Sequence, residues 1–130
     1  MEEKKQTEIK TLKIGGYVLI DDEVYTVESV QISKPGKHGG AKARVAVSGV
    51  FIDQKKTIVK PADTKINVPI IQKRPAQVIA ILGDNAQLMD METYENFELP
   101  IPENLKEKIT EGVEVIVWSF GAKRLIKGLR

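Results

Sequence analysis

The residues best placed to do chemistry lie in one short run, Ser33-Lys34-Pro35-Gly36-Lys37-His38-Gly39-Gly40-Ala41-Lys42. Three glycines and a proline between Pro35 and Gly40 cannot continue a strand ladder, so the spacing predicts a hairpin loop with Lys37 near its tip. Gly36 on one side and Gly39-Gly40 on the other remove side-chain bulk, which leaves Lys37 and His38 as the prominent groups. A phosphate-binding P-loop needs an upstream glycine at fixed spacing and Ser or Thr after Gly-Lys, whereas Gly36-Lys37 is followed by His38. A catalytic histidine needs an orienting acid or a nucleophile, and the loop holds no carboxylate. His38 is the only histidine in the chain, and the loop offers no cluster of metal ligands. His38 therefore reads as a loop-shaping residue, and neither a catalytic nor a metal site is expected. On composition alone, Lys37 reads as a solvated loop lysine.

The elements that must carry this loop are strands. Tyr17 to Ile20 and Glu23 to Ile32 are rich in Val, Ile and Tyr around a turn at Asp21-Asp22. Lys42 to Val50 alternates, with Ala43, Val45 and Val47 on one face and Lys42, Arg44 and Ser48 on the other: one face buried, one basic. Lys55 to Lys60 and Asn67 to Gln72 complete five strands, which suggests a small, strongly bent barrel preceded by a charged tail. The basic run Gln72-Lys73-Arg74-Pro75 predicts a domain boundary. Beyond it come strands at Gln77 to Leu82, Ala86 to Met91 and Tyr94 to Leu99. A short helix is expected between Pro102 and Gly112, with Leu105 and Ile109 on one face, and then strands at Val113 to Phe120 and Lys123 to Leu129. Three strands, a helix and two strands is the order of an OB-fold.

Charge is spread unevenly along the 130 residues. Lys34 to Lys60 carries seven Lys/Arg against Asp53, whereas Asp84 to Glu111 carries eight acids against Lys106 and Lys108. Taken alone, both stretches read as solvated strand faces; alternatively the first suits phosphates, with Lys34, Lys42, Arg44, Lys55, Lys56 and Lys60 as candidate RNA contacts. The second would meet protein or solvent. Trp118, Phe120, Met89 and Met91 read as core or half-buried packing rather than base-stacking groups. The absence of cysteine excludes thiol chemistry, cysteine-ligated zinc and disulfides. The first ten residues carry six charges and no apolar run. Neither a secretory signal nor a membrane span is expected, and the cytoplasm is the natural location.

The run Lys34 to Arg44 closely resembles the modification loop of the translation initiation factor 5A family, the hypusine-containing factors related to bacterial elongation factor P. The resemblance continues through Gln77-Val78-Ile79, Gly83-Asp84 and Gln87 to Tyr94, and so covers nearly the whole chain. Pro35 and Gly40 stand where the eukaryotic form usually has threonine and histidine, as in the archaeal version of the loop. The expected fold is all-β: an N-terminal SH3-like barrel over 1–72, carrying the modification loop Lys34, Pro35, Gly36, Lys37, His38, Gly39 and Gly40, and a C-terminal OB-fold over 73–130. The resemblance implies that Lys37 receives an aminobutyl group from spermidine, giving deoxyhypusine and, after hydroxylation, hypusine. A separate NAD-dependent enzyme, deoxyhypusine synthase, makes the transfer, so no cofactor is expected to be bound. The implied partner is the ribosome, with its rRNA and peptidyl-tRNA, where the family supports peptide-bond formation at slow sequences. An unmodified RNA-binding module is the alternative, and an enzyme the weakest reading.

Overall fold

A computed structural model describes residues 3–34 and 40–130. The chain divides into two compact units, one ending at Ile70 and one running from Ile71 to Arg130.

The first unit contains β1 (Glu3–Glu8), a 3₁₀ turn (Ile9–Thr11), β2 (Tyr17–Ile20), β3 (Glu23–Ser33), β4 (Lys42–Gly49), β5 (Lys55–Pro61) and β6 (Lys65–Ile70). They form one antiparallel sheet in the order β1-β6-β2-β3-β4-β5. Asp21 and Asp22 both take positive φ, 51° and 64°, which gives the two-residue turn the hand that matches strand twist. Alternation along β3 and β4 sends Tyr25, Val27, Ala43, Val45 and Val47 inward, where they pack with Ile9 and Val18 as a dry core. The residues expected to be a charged tail are β1, paired with β6 from Glu3↔Ile70 to Glu8↔Lys65. A ladder is made by the backbone, and charged side chains on an edge strand are compatible with it and discourage further pairing. Fully buried Ile9, whose N–H donates to Thr64 O at 2.9 Å, anchors that edge.

The second unit contains β7 (Gln72–Leu82), β8 (Asn85–Asp90), β9 (Asn96–Pro100), a 3₁₀ turn (Glu103–Leu105), β10 (Glu114–Phe120) and β11 (Lys123–Leu129). Their order is β11-β10-β7-β8-β9, and β9 comes alongside β11, which closes the sheet with OB-fold connectivity. Ala76, Val78, Leu88, Val115, Val117 and Ile126 fill the interior. Gln72 to Pro75, read as a domain boundary, lies just after the division at Ile70 and forms the start of β7, running from Gln72↔Ser119 to Pro75↔Ile116 along β10. Pro75 is tolerated because its carbonyl, and hence the side where its N–H would lie, faces Met91 beyond the last β7–β8 pair.

The expected helix is reduced to Glu103–Leu105 and one further turn, closed by Ile109 N–H to Leu105 O at 3.0 Å. Extended Pro102 before it and Gly112 at φ 89° leave too few residues to repay helix nucleation. Ile109 is nevertheless buried on the core, as its spacing from Leu105 suggested.

The β8–β9 turn depends on Asp90, a residue with no role in the sequence reading. Its Oδ1 accepts from the N–H of Glu92 at 2.7 Å and of Thr93 at 3.0 Å, and Arg74 lies 3.5 Å from Oδ2. The turn so held carries Tyr94 at φ 63°. Burial pushes the Asp90 carboxyl up, but the two N–H bonds and Arg74 outweigh it and leave the pKa below the ordinary carboxylate value. A folded pKa below the unfolded one gives stability above about pH 4 that is lost as pH falls through the folded value. Asp90→Ala is expected to destabilise the second unit by about 1–3 kcal/mol, the cost of orphaning two N–H groups and Arg74. Urea melts followed at Trp118 should show this at pH 7, with the gap between variant and parent narrowing below about pH 4.

Candidate modification loop and nucleic-acid interface

The β3–β4 ladder runs from Tyr25↔Gly49 to Ser33↔Lys42, so the eight residues Lys34 to Ala41 form the hairpin connection predicted from the glycines. Of its described residues, Lys34 and Gly40 are exposed and Ala41 is half-buried. Pro35, Gly36, Lys37, His38 and Gly39 lie outside the described residues.

Directly paired residues of an antiparallel ladder share a face, and this sorts the candidate cations. Lys42 pairs with Ser33 and Pro61, Arg44 with Gln31 and Val59, and Ser48 with Lys55. Lys42, Arg44 and Lys55 therefore occupy the outer face of β3–β4–β5, all exposed, opposite the side of buried Ala43, Val45 and Val47. Lys56 pairs with Val47 and Lys60 with Ala43, which places both on the other face. There they line a cleft of about 440 Å³ with Leu19, Ile58, Lys65 and Ile66. Lys56 also holds Asp21 at 3.4 Å and lies 5.7 Å from the centre of the Tyr25 ring.

The five cations of β4 and β5 are thus divided between two faces, and Lys34 lies outside the ladder. The signal was present in the sequence: consecutive Lys55 and Lys56 in one strand must point opposite ways. A count along the chain also missed Glu28, which β3 brings onto the basic outer face, where its carboxylate accepts from the Ser48 hydroxyl. Glu28 stands at a register shift between Val27 and Ser29, and no local sequence rule placed it there.

In the second unit the acids lie on β8, β9 and the turns around them. Asn85 Nδ2 donates to Glu98 at 2.6 Å, Glu95 holds Arg124 at 3.0 Å, and Lys106 bridges Glu103 and Asp84. Met89 and Met91 are half-buried, Phe120 is buried, and Trp118 is half-buried beneath two lysines. Among the described residues no group of three His, Asp or Glu side chains could hold a metal ion, and no helix is long and apolar enough to cross a membrane.

Family comparisons match both units. Residues 3–64 match a model described as translation initiation factor 5A-like, N-terminal, and residues 70–130 one described as eukaryotic elongation factor 5A hypusine, DNA-binding OB fold. Translation initiation factor 5A from Methanothermobacter thermautotrophicus is 54% identical over 125 residues, covering 95% of this chain and 96% of that protein. The chain belongs to the translation initiation factor 5A family. Within that family, the factor from Pyrococcus furiosus is 47% identical over 122 residues, covering 91% and 88% of the two chains. The solved structure of eukaryotic translation initiation factor 5A from Methanococcus jannaschii superposes with a TM-score of 0.89 at 45% identity, covering 98% of this chain and 95% of that one. A family protein from Naegleria fowleri gives 0.79 at 30% identity, covering 98% of each chain. The relatives are named translation factors, and the family's hypusine-bearing character attaches to a match that covers this chain's OB-fold.

Proposed function

We propose that the protein acts on the ribosome beside the peptidyl-tRNA, through Lys37 extended by an aminobutyl group, and promotes peptide-bond formation at slow sequences such as proline runs. The observation that carries this reading is the hairpin. Its ladder ends at Ser33↔Lys42, two residues between which the family's Gly-Lys-His-Gly motif falls in the sequence, and Lys42 and Arg44 are on the exposed face of β4.

The aminobutyl arm comes from spermidine and is transferred by a separate NAD-dependent deoxyhypusine synthase, so those molecules belong to the modifying enzyme. The arm lengthens the lysine by about 6 Å and adds a second amine. A thin cationic rod of that length enters an RNA cleft too narrow for a polypeptide loop. The outer-face cations Lys42, Arg44 and Lys55, together with exposed Lys34 beyond the end of β3, meet phosphates and fix the approach, while bond-making stays with the ribosome. Lys56 and Lys60, on the other face, contribute to the general field more than to that contact. Action on the ribosome implies a cytoplasmic location.

Cell-free translation in a host extract depleted of the factor tests the proposal. Added back with Lys37 modified, the protein should restore synthesis of a reporter containing a proline run and change a reporter lacking one far less. The unmodified protein should restore neither. Equal restoration by both forms would favour the unmodified RNA-binding module.

A further inference from the structure

The second unit carries a basic aromatic patch that the count of its acids conceals. Trp118 lies on the outer face of β10, paired with Lys73 of β7 and Leu125 of β11. Lys73 Nζ stands 4.4 Å from the centre of the indole, and Lys127 Nζ stands 4.7 Å from it. Lys127 follows Leu125 by two residues in β11 and so shares its outer face, beside the register shift between the pairs of Ile116 and Val117. Both lysines are exposed, and the ring is half-buried. Two ammoniums at one ring lie within about 9 Å of each other, close enough to repel, and the π-face offsets part of that cost.

Nearby carboxylates are engaged by arginines: Glu114 by Arg130 at 2.7 Å, Glu95 by Arg124 at 3.0 Å, and Asp90 and Glu92 by Arg74. The face that OB-folds commonly use for oligonucleotides is that of their second and third strands. Here those are β8 and β9, whose paired outward residues are Asn85, Gln87, Met89, Asn96, Glu98 and Pro100, with no cation among them. A basic, aromatic surface on β7–β10–β11 and an acidic one around β8–β9 reverse the usual polarity of the fold.

We infer that the Lys73–Trp118–Lys127 patch is a second docking site of the protein and takes single-stranded RNA, one base on the indole and flanking phosphates on the two ammoniums. The ammoniums of the two lysines stand at the ring. On binding, their flexible stems carry the ammoniums to phosphates and open the π-face to a base, which satisfies both groups at once. RNA is the occupant favoured by charge complementarity and by membership of a translation-factor family. The site does not depend on the modification of Lys37.

Trp118 is the only tryptophan in the chain, so its fluorescence reports this patch alone. Titration of the full-length protein with oligouridylate should quench it saturably, with a midpoint that rises with salt. In K73Q/K127Q, whose changes are exposed, the midpoint should move to about tenfold higher RNA. W118F should bind labelled oligouridylate within about threefold of the parent, and W118L about tenfold more weakly. A K42E/R44E/K55E protein should show the same saturating quench as the parent, which separates this site from the first unit. An absent quench, an unmoved midpoint in K73Q/K127Q, or equal quenching by polyglutamate, which would mark an acidic polypeptide as the occupant, would overturn the assignment.

Discussion

Replacing Lys37 by arginine is expected to abolish function in the host while leaving the fold untouched. Arginine keeps the positive charge, but a guanidinium is not the primary amine that accepts an aminobutyl group. The substitution falls in the connection between β3 and β4, eight residues that lie outside the ladder, and the core of Tyr25, Val27, Val45 and Val47 is built without it. Thermal unfolding should therefore move by no more than the roughly 0.5 kcal/mol typical of an exposed substitution. A strain whose only copy carries Lys37→Arg should grow like one lacking the factor. Normal growth of that strain would count strongly against a role for the modified side chain.

Reversing Lys42, Arg44 and Lys55 to glutamate should weaken ribosome association by about a hundredfold or more, even with Lys37 fully modified, because three phosphate contacts on one face become three repulsions. The salt dependence should flatten in parallel. Lys56→Glu with Lys60→Glu tests the face assignment, since these two residues point into the cleft beside Leu19 and Ile66 and should cost far less. Neutralising Glu103 and Glu107, in the acidic segment before β10, should leave binding nearly unchanged. Co-sedimentation with ribosomes at two or more salt concentrations reads all three. Equal losses from the two basic sets would mean that the field of the whole unit, rather than its outer face, sets affinity.

Elements that announce themselves by periodicity were legible before the structure. Val45 and Val47 alternate with Arg44 and Ser48, and the Asp21-Asp22 turn carries the residues its positive φ values favour. The OB-fold followed from the order of short strands in the second unit. Harder to read were features decided by partners distant in sequence. Glu3–Glu8 becomes a strand because β6 offers an edge, which six polar residues cannot advertise. Gln72 to Pro75 joins β7 because β10 lies beside it, although Pro75 and two basic residues mark only a domain boundary in the sequence. Glycine, proline and lysine at fixed spacing made the hairpin connection visible. Which cations share a face required the ladder, and so did the pairing that sets Lys73 of β7 beside Trp118 of β10, residues far apart in the sequence.

Intact mass of the protein purified from its native host, followed by peptide mapping, tests the central claim most directly. The account predicts an increase of one aminobutyl unit, or of that unit plus one hydroxyl oxygen, confined to the peptide containing Lys37. Protein from the host at its unmodified mass, or carrying the increment at any other lysine, would contradict it.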